Sequence, residues 1–273
     1  MSLQFNKINI NINGKYILCE TASVSQQGEQ KPLYAINYAA PVDYTPDSIK
    51  NSLTINYFVE TSNEPIYSII SGLKFSNTTG NTQAIIMLGN VTFTGYLNKF
   101  SYSVSPMNTI KAQAAFDIFT PIIGNFSQGN STDGNLYNLS NSSGLINYFS
   151  AYLYSGSSKI LNSNILQFDY DFDCTAVPIY SIGNIYPVQV YISEAKESIN
   201  TISEIQNNNQ FSGQNLYNLL GVDSIVLTNI SNTWGYSLNQ LIYNISGMKN
   251  NSSRIDISNR SLILFNNTFS QSF

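Results

Sequence analysis

The feature that most constrains this chain is a short segment that occurs twice. Residues 32–42 read PLYAINYAAPV, and residues 178–188 read PIYSIGNIYPV. Five pairs match at one constant offset in residue number, 146: Pro32 and Pro178, Tyr34 and Tyr180, Ile36 and Ile182, Pro41 and Pro187, Val42 and Val188. Matches that share one offset are typical of a duplicated structural unit, because chance matches have no common spacing.

A second set of matches follows in the same order along the chain. The offset is 140 for the first two pairs and 141 for the later pairs, which indicates that Ser237 is an inserted residue. The pairs are Gly95/Gly235, Tyr96/Tyr236, Leu97/Leu238, Asn98/Asn239, Tyr102/Tyr243, Ser105/Ser246 and Met107/Met248. The two sets together predict two copies of one domain in tandem.

The length of 273 residues suits two ordinary domains, each large enough to bury its own core. We predict a first copy over residues 1–122, a linker over 123–146 and a second copy over 147–273. The linker is predicted because residues 124–144 are rich in Asn, Ser and Gly and contain a single charged residue, Asp133.

Most of the chain alternates between apolar and polar residues, which is typical of half-buried β-strands. Asn13 and Gly14 form a hairpin-turn signal after the first such run, and residues 26–31 are polar and predict a loop. Helical spacing replaces the alternation at 63–73 and again at 216–220. We therefore predict a mainly β fold of two domains, each with one short helix. Strands of the second copy are predicted at 149–154, 165–174, 179–182, 188–192, 225–230, 240–245 and 261–265.

Charged residues make up only 10% of the chain, against about 25% in a typical soluble domain. Either a skewed codon composition or a surface largely buried against neighbouring molecules explains this, and the two explanations are compatible. The net charge of −4 and the absence of a basic run argue against specific nucleic-acid binding. We expect no signal peptide and no membrane span, and we expect Cys19 and Cys174 to be free thiols.

The sequence contains no histidine and no glycine-rich phosphate loop, so it lacks the commonest general base and a common cofactor motif. We predict that the protein is not an enzyme and has no catalytic residue, cofactor or metal. Asp169, Asp171 and Asp173 alternate with aromatic residues, and a strand would place all three carboxylates on one face. Calcium binding is conceivable, but carboxylates at such spacing do not converge on one ion, so we favour an acidic, hydrated face.

The series of alternating strands, the PLYAINY segment, a short helix after ETSNEP and the GYLNKFSYSVSPM segment resembles the tail tube proteins of tailed bacteriophages. The resemblance covers residues 32–118 most closely and is weaker in the second copy, where Gly247 replaces Pro106. It implies a β-sandwich or small barrel with one flanking helix, assembled into rings around a DNA channel. In such an assembly, the face with Asp169, Asp171 and Asp173 would line the lumen or contact the next ring.

A simple tube subunit has one such domain, so two domains leave two assemblies open. We favour a six-fold homo-oligomeric ring, with a trimeric pseudo-sixfold baseplate hub as the alternative. The resemblance then implies stacked rings, contact with tail sheath or baseplate proteins, genomic DNA that passes without specific binding, and no membrane. It implies a protein of the virion tail that assembles in the host cytoplasm. A different class also fits the low charge: a fibre, adhesin or capsid-decorating protein that binds a host glycan through its tyrosines and Trp234.

Overall fold

The computed structural model describes residues 10–37, 39–59, 64–75, 82–105, 108–124, 149–155, 158–160, 165–204, 222–230, 238–256 and 264–272. In these ranges the protein is mainly β, as predicted, with one helix, α1 (Pro65–Phe75). The strands are β1 (Ile10–Ile12), β2 (Lys15–Ile17), β3 (Cys19–Leu33), β4 (Asp43–Phe58), β5 (Gln83–Leu88), β6 (Val91–Val104), β7 (Lys111–Ile118), β8 (Phe149–Ser155), β9 (Ser158–Ile160), β10 (Ile165–Ile179), β11 (Gln189–Glu204), β12 (Val222–Ile230), β13 (Leu238–Asp256) and β14 (Leu264–Ser272).

Two groups of strands have the same order and the same antiparallel connections. In the first unit, β1 to β7, hydrogen-bonded neighbours follow the order β2-β1-β5-β6-β7-β4-β3. In the second unit, β8 to β14, they follow the order β9-β8-β12-β13-β14-β11-β10. Each strand of the first unit thus corresponds to the strand seven places later. The pairing of β6 with β10 joins both units into one sheet.

Each unit contains one long hairpin, β3 with β4 and β10 with β11. The first strand of each hairpin has 15 residues and the second has 16. The corresponding ends of these strands differ by 146 in residue number. Each hairpin also has a register irregularity at the same place, after Cys19 in β3 and after Ile165 in β10. The offset found in the repeated segment therefore extends along both strands of each hairpin.

The second set of sequence matches joins two corresponding strands, β6 and β13, but at a different offset from the one that strand pairing gives. The pairing of β6 with β7 has an irregularity after Leu97, and the pairing of β13 with β14 has one after Asn250. These two positions differ by 153 in residue number. The pairing of β7 with β4 and of β14 with β11 gives the same offset of 153 between β7 and β14. Tyr102 pairs with β7, whereas Tyr243 pairs with β12, so these two matched tyrosines are not structural counterparts.

Two predicted local structures differ from the observed hairpins. Residues 26–31 were expected to form a loop but lie inside β3, and the strand expected at 179–182 ends at Ile179. Near the turn of the second hairpin no side chain of β11 is fully buried: Gln189, Tyr191, Ser193 and Glu194 are exposed, and Val190 and Ile192 are half-buried. A strand without a buried face has no apolar alternation, so its sequence does not show the period-two pattern.

The helix begins directly after Glu64, close to its predicted start. The Oε1 atom of Glu64 accepts hydrogen bonds from the Ile66 amide at 3.0 Å and from the Tyr57 hydroxyl at 2.7 Å. A side-chain acceptor at this position satisfies an amide that the helix leaves without a partner. Ile66 and Ile70 are buried in the core beneath the first unit's strands. The second predicted helix, at 216–220, lies outside the described residues.

Candidate assembly surfaces

The two units meet in a strand pairing that we call the seam. Residues 99–104 of β6 pair with residues 168–173 of β10, with Val104 opposite Phe168 and Lys99 opposite Asp173. The paired strands are not counterparts, because β6 corresponds to β13 and β10 corresponds to β3. Each unit therefore contributes a different surface, which makes the seam a head-to-tail contact.

Aromatic side chains fill the apolar face of the seam. Phe100 and Tyr102 from β6, and Phe168, Tyr170 and Phe172 from β10, are each at most 3% exposed. The rings of Tyr102 and Tyr170 stack with centroids 5.2 Å apart, and Phe100 meets Tyr170 edge-on at 5.9 Å. Aromatic pairs add to the stabilisation from apolar burial, so the seam is part of the protein core.

The opposite face of the seam is polar and contains the three predicted aspartates. Asp169, Asp171 and Asp173 occupy alternate positions of β10 and share this face. Partial burial raises the pKa of Asp171, Lys99 opposes this increase, and the neighbouring aspartates add to it. Within the described ranges, no group of three or more Cys, Asp or Glu side chains is arranged to hold a metal ion.

The polar face extends over the strands on both sides of the seam. A cleft of about 510 Å³ in this face is lined by charges of both signs, among them Lys50, Lys99, Lys196 and Asp117. Lys50 and Lys196 occupy corresponding positions of β4 and β11, and Lys50 Nζ lies 3.6 Å from the Asp117 carboxylate. The remaining side chains are mostly small and uncharged: Ser52, Thr54, Asn56, Ser101, Ser103, Gln113, Ser198, Asn200, Thr268 and Ser270.

The counterparts of the seam strands each have an outer edge with no neighbouring strand in the described part of the chain. β3 pairs with β4 on one side, and β13 pairs with β14 over residues 249–256. Ala22 and Gln26 of β3 are exposed, whereas Phe168 and Phe172, at the corresponding positions of β10, are buried. The outer edge of β3 is thus exposed, whereas the same edge of its counterpart β10 is covered by β6.

The repeated segment forms the tips of the two long hairpins. Each tip is closed by the same hydrogen bond: Val42 N donates to Leu33 O, and Val188 N donates to Ile179 O, both at 2.8 Å. The strands and their turns therefore have corresponding geometry in both units. These tips contain the predicted motif residues Pro32, Tyr34, Pro41, Pro178, Tyr180 and Pro187.

Both tips have a left-handed turn residue and exposed apolar side chains. The backbone φ is 75° at Asn37 and 88° at Gly183, which are corresponding positions. Asn and Gly are the residues that adopt this conformation most readily. Next to them, Ile36 is 91% exposed and Ile182 is 106% exposed, and Tyr34 is 65% exposed. Clustered apolar exposure of this kind is typical of an interaction surface.

Two further predicted motif residues, Gly95 and Tyr96, lie in β6 and have a packing role. A Cβ atom on Gly95 would lie 2.8 Å from Cδ1 of Ile86 and 3.1 Å from Cβ of Phe116, so the close approach of these side chains requires glycine. Tyr96, the next residue, is half-buried.

The predicted counterparts of this pair, Gly235 and Tyr236, lie outside the described residues. Strand pairing relates Gly95 and Tyr96 to other positions of the second unit. Tyr96 pairs with Asp117 of β7, and Lys249 pairs with Ser270, the corresponding residue of β14. Lys249 of β13 is therefore the structural counterpart of Tyr96. The prediction that Gly235 and Tyr236 repeat the motif of Gly95 and Tyr96 stays a prediction, because these two residues are not described. A Gly-Tyr pair matches easily by chance in a chain with 16 glycines and 19 tyrosines.

Both cysteines are free thiols. Burial raises the pKa of Cys19 and the pKa of Cys174 to about 11 in each case, so both remain protonated at neutral pH. The Cys174 Sγ donates to the Leu97 carbonyl at 2.7 Å. Neutral, hydrogen-bonded thiols are poor nucleophiles, which assigns both residues a structural role.

No helix within the described ranges has the length and apolar character needed to cross a membrane. In comparisons with known proteins, no protein-family model and no curated protein sequence matches this chain. The function is therefore inferred from the surfaces themselves: the seam, the outer edges of β3 and β13, the polar face and the hairpin tips.

Proposed function

We propose that this protein is a structural ring component of a bacteriophage tail, in which copies join edge to edge around a channel for DNA. The seam is the observation that carries this proposal, because it is a head-to-tail contact between two units of the same topology. The two surfaces that form it are present once more, as the outer edges of β13 and β3. Repetition of a head-to-tail contact closes into a ring when the rotation permits it.

The arrangement of the units favours three chains in the ring over six. The resemblance to tail tube proteins implies six tube-like units around the channel. Both units of one chain lie side by side in one sheet, so three chains supply six units. A six-chain ring would use one unit of each chain and place the other outside it. The seam thus supports the trimeric, hub-like arrangement over the hexameric tube.

The polar face is suited to line the channel. Proteins that bind DNA tightly present a surplus of Lys and Arg to the phosphates. This face instead combines small uncharged side chains with charges of both signs, and it includes Asp169, Asp171 and Asp173. Such a lining would let DNA pass without specific binding. In this proposal the three aspartates face the lumen rather than the next ring.

The hairpin tips suit contact with further tail components. Rotational symmetry places corresponding tips on the same side of a ring, where their exposed isoleucines would meet a stacked ring, a sheath protein or a baseplate protein. The virion tail is the proposed location, with assembly in the host cytoplasm. A second candidate is glycan binding by a fibre or adhesin, which the exposed Tyr34 at one tip favours.

Light scattering combined with negative-stain electron microscopy tests the ring. We expect three times the chain mass of 30.3 kDa and rings with pseudo-sixfold views. Six chains would contradict the trimer while retaining the ring. A monomer at every concentration would overturn the ring proposal, and binding on a glycan array would then support the second candidate.

A matched pair of variants makes this test specific. Val24 is half-buried at the outer edge of β3, and Ile85 is 60% exposed on β5. Val24 corresponds to Tyr170, which is buried on the apolar face of the seam, so we expect Val24→Lys to lower the mass to that of one chain, because a lysine ammonium is costly to bury on such a face. Ile85→Lys should leave the ring unchanged. Equal effects of the two substitutions would contradict an edge-to-edge ring.

A further inference from the structure

The seam defines a strand register that can be transferred to the outer edges of the molecule. β10 corresponds to β3 at an offset of 146 in residue number, and β6 corresponds to β13 at an offset of 153. In the seam, Asp169 lies opposite Ser103, and Asp171 lies opposite Ser101. The positions that correspond to Asp169 and Asp171 therefore lie on β3, and the positions that correspond to Ser103 and Ser101 lie on β13.

We propose that β3 of one copy pairs antiparallel with residues 252–256 of β13 in the next copy, in the register of the seam. This places Ser23 opposite Asp256, and Ser25 opposite Arg254, on the polar face. The inference rests on the proposed ring and specifies the contact that closes it. The partner is thus a second copy of this chain, and the contact continues the sheet from one chain to the next.

Unpaired strand edges support this assignment. Over the described ranges, β3 has 15 residues and a single strand neighbour, and no strand lies beside Arg254, Ile255 and Asp256 on the edge opposite β14. Long exposed edges readily pair with another chain, and proteins usually shorten or cover them when no partner exists. The two edges are the counterparts of strands that already pair within the chain.

The proposed junction differs from the seam in its side chains. The apolar face of the seam contributes Phe168, Tyr170 and Phe172 from β10, whereas β3 has Ala22, Val24 and Gln26 at the corresponding positions. Less apolar area would be buried at the junction, so it is the weaker of the two contacts. This difference suits a contact that forms between separately folded chains. The seam, in contrast, is fixed when each chain folds.

Disulfide trapping tests the register in the full chain. Two cysteine pairs are introduced separately, Ser23→Cys with Asp256→Cys, and Ser25→Cys with Arg254→Cys, each in a Cys19→Ser background. Opposite positions in antiparallel strands bring Cβ atoms within the range that a disulfide requires. After mild oxidation, we expect covalent dimers and trimers on non-reducing gels, at least fivefold more than from the out-of-register pair Ser23→Cys with Arg254→Cys.

The seam itself provides the positive control. Ser101 and Asp171 correspond to Arg254 and Ser25, so Ser101→Cys with Asp171→Cys should form a disulfide within one chain under the same conditions. Light scattering on each variant separates the two proposals. Rings that give no crosslink at the register pairs, or more at the out-of-register pair, would overturn the junction and leave the ring standing. A protein that stays monomeric would overturn both.

Discussion

Gly95 shows how one side-chain atom limits the packing of this sheet. Its missing Cβ leaves space that Ile86 and Phe116 occupy, with Phe116 Cβ only 3.1 Å from where the added atom would be. We expect Gly95→Ala to lower the free energy of unfolding by about 1–3 kcal/mol, because a filled core accommodates extra atoms only with strain. Chemical denaturation measures this change.

Gly72 provides the matched control, since it lies in α1 and a Cβ there meets no atom within 4 Å. Gly72→Ala should raise the free energy of unfolding by about 0.5–1 kcal/mol, because alanine has the higher helix propensity. A Gly95→Ala protein as stable as the unchanged protein would contradict the packing role of Gly95.

The buried carboxyl of Glu64 should make the free energy of unfolding depend on pH. Burial raises its pKa from 4.5 to about 7, although the Tyr57 hydroxyl and the Ile66 amide oppose the increase by hydrogen bonding. The folded protein therefore holds this proton more tightly than the unfolded chain. The stabilisation is complete below pH 4.5 and is lost as the pH rises to about 7, with a total change of about 3 kcal/mol.

Denaturation of Glu64→Gln across this pH range isolates the effect. Glutamine keeps an oxygen that accepts both hydrogen bonds but carries no titrating proton. The free energy of unfolding of the unchanged protein should fall relative to that of Glu64→Gln as the pH rises from 4.5 to 7. Parallel curves for Glu64→Gln and the unchanged protein would contradict a raised pKa at Glu64.

The long hairpins show what the sequence can predict about this fold. Asn37 and Pro41 belong to a hairpin loop closed by the Val42–Leu33 hydrogen bond, and its geometry restricts the residue types, so the repeat is recognisable there. Along β6 the constraint is only alternation between a buried and a solvated face, which many residue types satisfy. Tyrosine and serine then match at wrong offsets by chance, as Tyr102 and Tyr243 do.

The seam could not be predicted from either strand alone, because strand pairing between distant segments depends on the whole topology. One signal was nevertheless present in the repeats. At corresponding positions, β10 has Phe168 and Phe172 where β3 has Ala22 and Gln26. Large aromatic side chains on one copy and small or polar ones on the other indicate that only one copy is covered within the chain. Comparison of corresponding positions would therefore have located the covered edge.

In the proposed ring, the hairpin tips decide whether rings remain single or stack. Symmetry brings all tips to one side, each with an isoleucine that is almost fully exposed. We expect rings to associate face to face as protein concentration rises, because association removes these apolar side chains from water. The double variant Ile36→Ser with Ile182→Ser should keep the mass of a single ring but not stack, as sedimentation velocity and electron microscopy would show.

Folding should be unaffected by these substitutions, since replacing exposed side chains changes the free energy of unfolding by about 0.5 kcal/mol or less. Ile85→Ser is the matched control, because Ile85 is also exposed but lies on β5, away from both tips. It should stack like the unchanged protein. If the double variant stacked equally well, the tips would not form the ring-to-ring contact. If Ile85→Ser also abolished stacking, general surface hydrophobicity would account for the association instead of the repeated tips.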